Sequence, residues 1–258
     1  MRSTLFRLAH TLVFFSSSQC CEAGLKIYYL RHAEGGHNVV SEWNSVPRNK
    51  WPAYVGNADM FTPKGEQQVV RATARLATLQ FDFIAASPTW RTRHTVLPFL
   101  EQTDGQAEIW PELEEFNDVP VPAGSAAALP RPSHGLFTGA SIVIPDGERD
   151  FFTLRQGAER SFKLGGSNLQ IFVDTQAALN QAIDLIRSRF SGSDKSILLV
   201  GHGNSGRRLL STLLGNRMPP NVVLQNTAIW MVEEQPDHSF ALRMLNDQMV
   251  AAGSGSHR

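Results

Sequence analysis

Two histidines in this chain stand where an apolar run ends, and each has charged or flexible neighbours suited to chemistry. His32 comes directly after Arg31, at the end of Leu25-Lys26-Ile27-Tyr28-Tyr29-Leu30. His202 lies between Gly201 and Gly203, at the end of Ser196-Ile197-Leu198-Leu199-Val200. Open α/β sheets bind ligands at the carboxyl ends of such strands. A neutral imidazole can attack an electrophile or carry a proton, and a guanidinium offers a planar, always-charged fork to an anion. Glycines around His202 permit close backbone approach, and the helix expected after it presents N–H groups to an anion. Arg91, in Ser87-Pro88-Thr89-Trp90-Arg91, falls in the first turn of another expected helix. Pro111-Glu112-Leu113-Glu114-Glu115 adds carboxylates that could move a proton. Taken singly, each has a bland reading. A lone histidine is usually structural, Arg93 and His94 read as surface residues, and an acidic run is usually a solvated face.

The elements that must position these groups are readable from periodicity and turn residues. Residues 25 to 30 are β-prone and bounded by Gly24. The stretch from Arg31 to about Asn57 reads as loop with short structure. Thr62-Pro63 caps a helix with Val69, Ala72, Leu76 and Leu79 at helical spacing. Phe81 to Ala86 predicts a short buried strand, followed by a helix carrying Val96, Phe99 and Leu100. Residues 117 to 167 are rich in proline and glycine without sustained periodicity, and read as an inserted cap over the site. Within them Phe151-Phe152 could wall a hydrophobic leaving group, though core packing is the plainer expectation. Gln170 to Phe190 predicts the longest helix, residues 196 to 200 a strand buried on both faces, and residues 203 to 214 a helix. Ala228–Val232 and Phe240–Met244 complete the strand candidates. Alternation of strand and helix predicts an α/β class: a three-layer sandwich with a mostly parallel central sheet flanked by helices. Residues 24–250 are expected to form a single domain, with 251–258 as a tail.

Composition narrows the partners. The 258 residues hold 24 Lys+Arg against 24 Asp+Glu, so no global positive field recommends nucleic acid or an anionic membrane. Anion binding must come from a local cluster of arginines. Cys20 and Cys21 are the two cysteines, adjacent and unable to build a disulfide framework or a cysteine zinc site. Residues 1–23 read as an N-terminal extension or a weak signal segment, since Leu12-Val13-Phe14-Phe15 is shorter than the usual apolar core. A cytoplasmic location is the expectation, with secretion as the alternative if that segment is a signal. Nothing approaches a membrane span.

These four segments and the start of the Thr62 helix, five motifs in chain order, resemble the histidine phosphatase superfamily, in particular its phosphoglycerate-mutase-like branch. Arg31-His32-Ala33 with Asn38 resembles the first motif, and Phe61-Thr62-Pro63-Lys64-Gly65-Glu66-Gln67-Gln68 the helix start. Ser87 with Arg91 and Thr95, Leu113 with Glu115, and His202-Gly203 resemble the remainder. The resemblance implies a phosphatase that hydrolyses a small-molecule phosphate monoester without metal or other cofactor. It implies His32 as nucleophile, Glu115 as proton carrier, with Glu114 its adjacent competitor, and His202 as donor. Arg31, Asn38, Arg91 and Gly203 would hold the phosphate. Ala33 and Gly35 depart from the commoner glycine and serine. Asn49-Lys50-Trp51-Pro52 departs from the mutase pattern, which leaves a mutase as the alternative activity. A catalytically silent binding protein on the same fold is a third reading. Gly201-His202-Gly203-Asn204-Ser205-Gly206 also spells a dinucleotide fingerprint. About fifty residues follow it, too few for a substrate domain, and Asn226 stands near the place of the expected acid. Oligomeric state and substrate are not legible.

Overall fold

The computed structural model describes residues 24–115, 139–163, 168–215, 218 and 222–250. Expectations for residues 1–23 and 251–258, and for much of the cap, fall outside the described residues. Among them no helix is long and apolar enough to cross a membrane.

An eight-stranded sheet forms the middle layer, in the order β4-β3-β2-β5-β1-β6-β7-β8. The strands are β1 Lys26–Arg31, β2 Phe83–Ala86, β3 Ala107–Ile109, β4 Phe152–Leu154, β5 Ser196–Gly201, β6 Ile229–Glu234, β7 Phe240–Leu245 and β8 Gln248–Met249. Pairings from β4 through β1 are parallel, and those from β1 to β8 antiparallel. The helices are α1 Pro63–Leu76, α2 Trp90–Thr103, α3 Asn168–Phe190 and α4 Gly203–Leu213.

The period-two alternation of the central strands explains why helices cover both faces. Ile27, Tyr29, Ile197 and Leu199 pack with Leu179, Ile183, Ile186, Leu209 and Leu213 of α3 and α4. Their chain neighbours Leu30, Leu198 and Val200 pack with Leu76, Val96, Phe99 and Leu100 of α1 and α2. A strand buried on both faces must be apolar throughout, which is what Ile197 to Val200 supplies. The sheet is therefore a sandwich filling between two helical layers, mostly parallel at its core.

Phe152–Leu154 lies inside the stretch expected to be cap, yet it extends the sheet beside β3. Phe152 is buried in the core and Phe151 packs against the same cluster, so the plainer expectation for that pair holds. Strands β3, β4 and β8 span two or three residues each, too few to show a period.

Candidate active site

Strand register builds the site. β1 and β5 run in parallel with Arg31 opposite Gly201, so the next residues, His32 and His202, leave the sheet as neighbours. The His32 N–H donates to Gly201 O at 2.9 Å. On the other side of β5, Ala86 is opposite Val200, and the Ser87 N–H donates to Val200 O at 2.9 Å. Residues far apart in the chain therefore meet at one edge. The imidazoles of His32 and His202 lie 5.2 Å apart between ring centres, and both are buried.

The tautomer of His32 follows from its contact. Its Nδ1 is 2.7 Å from Ala33 O. A carbonyl only accepts, so Nδ1 carries the proton and Nε2 keeps its lone pair. Burial drives the His32 pKa well below the ordinary imidazole value, and Arg91, Arg31 and His37 push the same way. The ring is neutral at neutral pH, as a nucleophile requires. His202 is likewise held neutral, by burial first and Arg91 next. Its Nε2 shares a 2.9 Å hydrogen bond with Ser87 Oγ, and its Nδ1 lies 3.3 Å from Arg91 Nη2. A guanidinium only donates, so Nδ1 accepts from Arg91 and Nε2 carries the proton, donating it to Ser87 Oγ; the serine hydroxyl can equally serve the other tautomer by donating.

Arg31, His37, Asn38, Arg91, Glu115 and Gly203 line one cavity of ≈ 370 Å³. The Nε atoms of Arg31 and Arg91 are buried with no hydrogen-bond partner among the described residues. Buried donors are normally satisfied, so two orphans on one cavity wall point to an anionic ligand that supplies the acceptors. A β-carbon on Gly203 would sit 3.3 Å from Arg31 Cζ, so glycine leaves the guanidinium room to lie against the backbone. Asn38 spends its Oδ1 on the Gly35 N–H at 3.0 Å, which leaves the amide nitrogen as its donor.

Glu115 is the acid beside His202: its Oε2 lies 3.8 Å from His202 Nδ1. Its Oε1 accepts from the backbone N–H groups of Asn204 and Ser205 at the start of α4, at 3.1 and 3.3 Å. Burial raises its pKa above the ordinary carboxyl value, with those N–H groups and both arginines opposing. Glu114, its neighbour, is buried and lines an adjoining cavity instead. The expectation of a solvated acidic face fails here. Glu112 is buried too, with Arg155 Nη2 at 2.5 Å.

The loop after His32 is held from outside. Thr62 caps α1 by accepting the Gly65 N–H at 3.0 Å, and donates to Glu34 at 2.8 Å. Gln68 accepts the Glu34 N–H at 2.8 Å. Thr95 accepts the Ala33 N–H at 2.9 Å and donates to Arg91 O at 2.6 Å, tying the loop of His32 to the helix of Arg91. Arg93 is not a surface residue, and His94 is only partly exposed. Arg93 is buried and donates to Glu148 at 2.6 Å, and His94 Nε2 is 3.2 Å from the same carboxylate. Glu148 sits in the inserted stretch, which is why two basic residues of α2 turn inward.

Two contributors escaped the sequence reading. His37 lies 5.5 Å from His32 between ring centres. Tyr29 is buried under His202: its hydroxyl accepts the His202 N–H at 2.7 Å and donates to His202 O at 3.0 Å. The same ring explains the glycine pattern around His202. A β-carbon on Gly201 would fall 2.2 Å from the Tyr29 hydroxyl, and one on Gly206 would fall 2.3 Å from the ring. These glycines make room for a tyrosine, and Gly203 for Arg31, which removes the pyrophosphate explanation for the fingerprint.

Donor atoms of His32, Glu115 and His202 lie within 4.8 Å of one another, close enough on distance alone to share a cation. Two guanidinium groups on the same cavity argue against that occupant and for an anion.

The model of the histidine phosphatase superfamily, branch 1, matches residues 27–119. That stretch contains Arg31, His32, Arg91 and Glu115. Over that stretch the chain is similar to the histidine phosphatase superfamily. His202 lies outside the matched stretch. An alpha-ribazole phosphatase of Shigella flexneri is 18% identical with a TM-score of 0.53, over 89% of this chain and 100% of that one. A mycobacterial glucosyl-3-phosphoglycerate phosphatase, solved with VO3, is 18% identical with a TM-score of 0.50, over 86% of this chain and 99% of that one. At that identity the likeness is one of fold. Among curated proteins none matches the chain.

Proposed function

We propose that the chain is a metal-independent phosphatase that cleaves a small phosphate monoester through a phosphohistidine on His32. The observation that carries this reading is a pair of neutral imidazoles, 5.2 Å apart, packed behind a cavity lined by Arg31, Arg91 and Glu115, with His202 Nδ1 3.3 Å from Arg91 Nη2 and 3.8 Å from Glu115 Oε2. Arg31 and Arg91 bind the non-bridging oxygens. His32 Nε2 attacks phosphorus in line, forming an N–P bond as the P–O bond to the alcohol breaks. Glu115 delivers a proton to the departing oxygen, then removes one from the water that attacks the phosphohistidine. Inorganic phosphate leaves, and both residues return to their starting states. His202, oriented by Ser87 and Tyr29, donates from Nδ1 to the oxygen on which charge develops, in the tautomer in which Ser87 Oγ donates to Nε2 and Arg91 turns from Nδ1 to the phosphate.

Phosphate release from p-nitrophenyl phosphate tests this, with His32→Ala as control. Release by the native chain that the substitution abolishes is the expected result. Release that survives it would remove His32 from the chemistry.

A further inference from the structure

The alcohol half of the ester needs a place, and a second cavity of ≈ 340 Å³ adjoins the first. Arg91 lines both. Trp90, Ile142 and Val143 supply its apolar wall, and Asp59 and Glu114 bring carboxyl groups. Trp90 is braced from two sides, stacked on His94 at 4.2 Å and tilted against Phe61 at 4.8 Å between ring centres. A ring fixed in this way offers a preformed flat surface. Val143, at 72% exposure, is an apolar side chain left open to solvent at the same cavity.

The charges are unevenly committed. Arg93 also lines this cavity, but it is taken up by its buried ion pair with Glu148 and by the carbonyl of Pro88. Arg91 faces His202 at the phosphate side. Asp59 is exposed and close enough to Arg91 to act on its charge. Beyond the phosphate position, then, the cavity offers a flat indole, two aliphatic side chains and carboxyl groups, with no uncommitted cation among its described residues.

We infer that this cavity is the leaving-group subsite, and that it selects uncharged or cationic alcohols with an apolar or aromatic face. A leaving group bearing a carboxylate or a second phosphate would meet Asp59 without a compensating cation, a repulsive element of the kind that sets specificity. The inference rests on the phosphatase reading and narrows it: acidic sugar- or glycerate-type phosphates are poor substrates, and aryl or amine-bearing alcohol phosphates good ones.

The test compares kcat/KM for 4-methylphenyl, 4-(aminomethyl)phenyl and 4-carboxyphenyl phosphate in the native chain and in Asp59→Lys. Intrinsic reactivity cancels when each ratio is compared between the two proteins. The native chain is expected to disfavour the carboxylate by about tenfold or more against the amine, and Asp59→Lys to bring that ratio to unity or invert it. Trp90→Ala is expected to raise KM for the aryl esters roughly tenfold more than for ethyl phosphate, which is too small to reach the indole. Hydrolysis of all three esters with a charge ratio that Asp59→Lys does not move would overturn the subsite and leave the phosphatase reading standing. Hydrolysis of none, by the native chain, would overturn both.

Discussion

Glu115 and His32 are pushed in opposite directions by the same burial, and the consequence is a pH window. Burial raises the carboxyl of Glu115 above its ordinary 4.5, and burial with two guanidiniums lowers the imidazole of His32 well below 6.5. The two shifts widen the pH range over which a protonated carboxyl and an unprotonated imidazole coexist. With Glu115 as the proposed acid and His32 as the proposed nucleophile, the alkaline limb of kcat/KM is expected to report loss of the Glu115 proton, and the acid limb to fall below the ordinary histidine range. In Glu115→Gln the alkaline limb should vanish. Turnover of an alkyl phosphate should drop by roughly 10²–10⁴-fold, and that of a p-nitrophenyl ester by much less, because its leaving group hardly needs the proton. Equal losses on both esters would deny Glu115 the acid role. Tyr29 acts at one remove, gripping the backbone of His202 from both sides. Tyr29→Phe is expected to lower kcat roughly three- to tenfold with KM little changed, the scale of a lost hydrogen bond. A rise in KM alone would instead assign the tyrosine to binding. His32, His202 and Arg31 were legible in the sequence because each stands at the end of an apolar run, and Arg91 because it opens the helix that follows one. Tyr29 was not, since an aromatic residue in a β-prone stretch is ordinary strand filling. His37 sat in a polar loop whose path no periodicity reveals.

At the scale of elements, sequence patterning locates the long ones and misses the short ones for a common reason. α1 has its threonine cap, its proline at the first position and an apolar face, and runs Pro63–Leu76 close to expectation. β3 and β4 are three residues long, and what makes them strands is the edge of a sheet already formed. Arg93 and His94 were misjudged because their partner, Glu148, lies in a stretch whose fold is set by tertiary contact. That ion pair joins α2, which carries Arg91, to the segment leading into β4. Its side chains are 7% and 9% exposed. Removing one partner leaves the other charge buried. Glu148→Ala should therefore cost about 3–5 kcal/mol in denaturant unfolding, with Arg93→Ala comparable. A loss below about 1 kcal/mol would mean the pair is solvated in solution and does not brace the insertion.

Across the whole molecule, a chain of zero formal net charge places Arg31, Arg91 and Arg207 on one cavity, with the neutral histidines packed behind it. The buried imidazoles tie stability to pH. Both His32 and His202 have folded pKa values well below 6.5, so the unfolded chain takes up protons that the native state refuses. Their contribution is fully present above about pH 6.5 and is lost as pH falls towards the folded values, at about 1.4 kcal/mol per pH unit for each ring. Glu115 opposes this at lower pH, because its raised pKa makes the folded state the better proton acceptor there. Unfolding free energy measured from pH 7 down to 5 should fall, and fall less steeply in His202→Gln. A flat profile would mean that the rings are solvated.

The most direct measurement is a rapid-quench single turnover with a labelled aryl phosphate, followed by mapping of the phosphorylated residue. The expected result is an alkali-stable, acid-labile phosphoryl group on His32 that forms and decays within the turnover. Phosphate release at the native rate with no label on His32, or with the label on another side chain, would contradict the central claim.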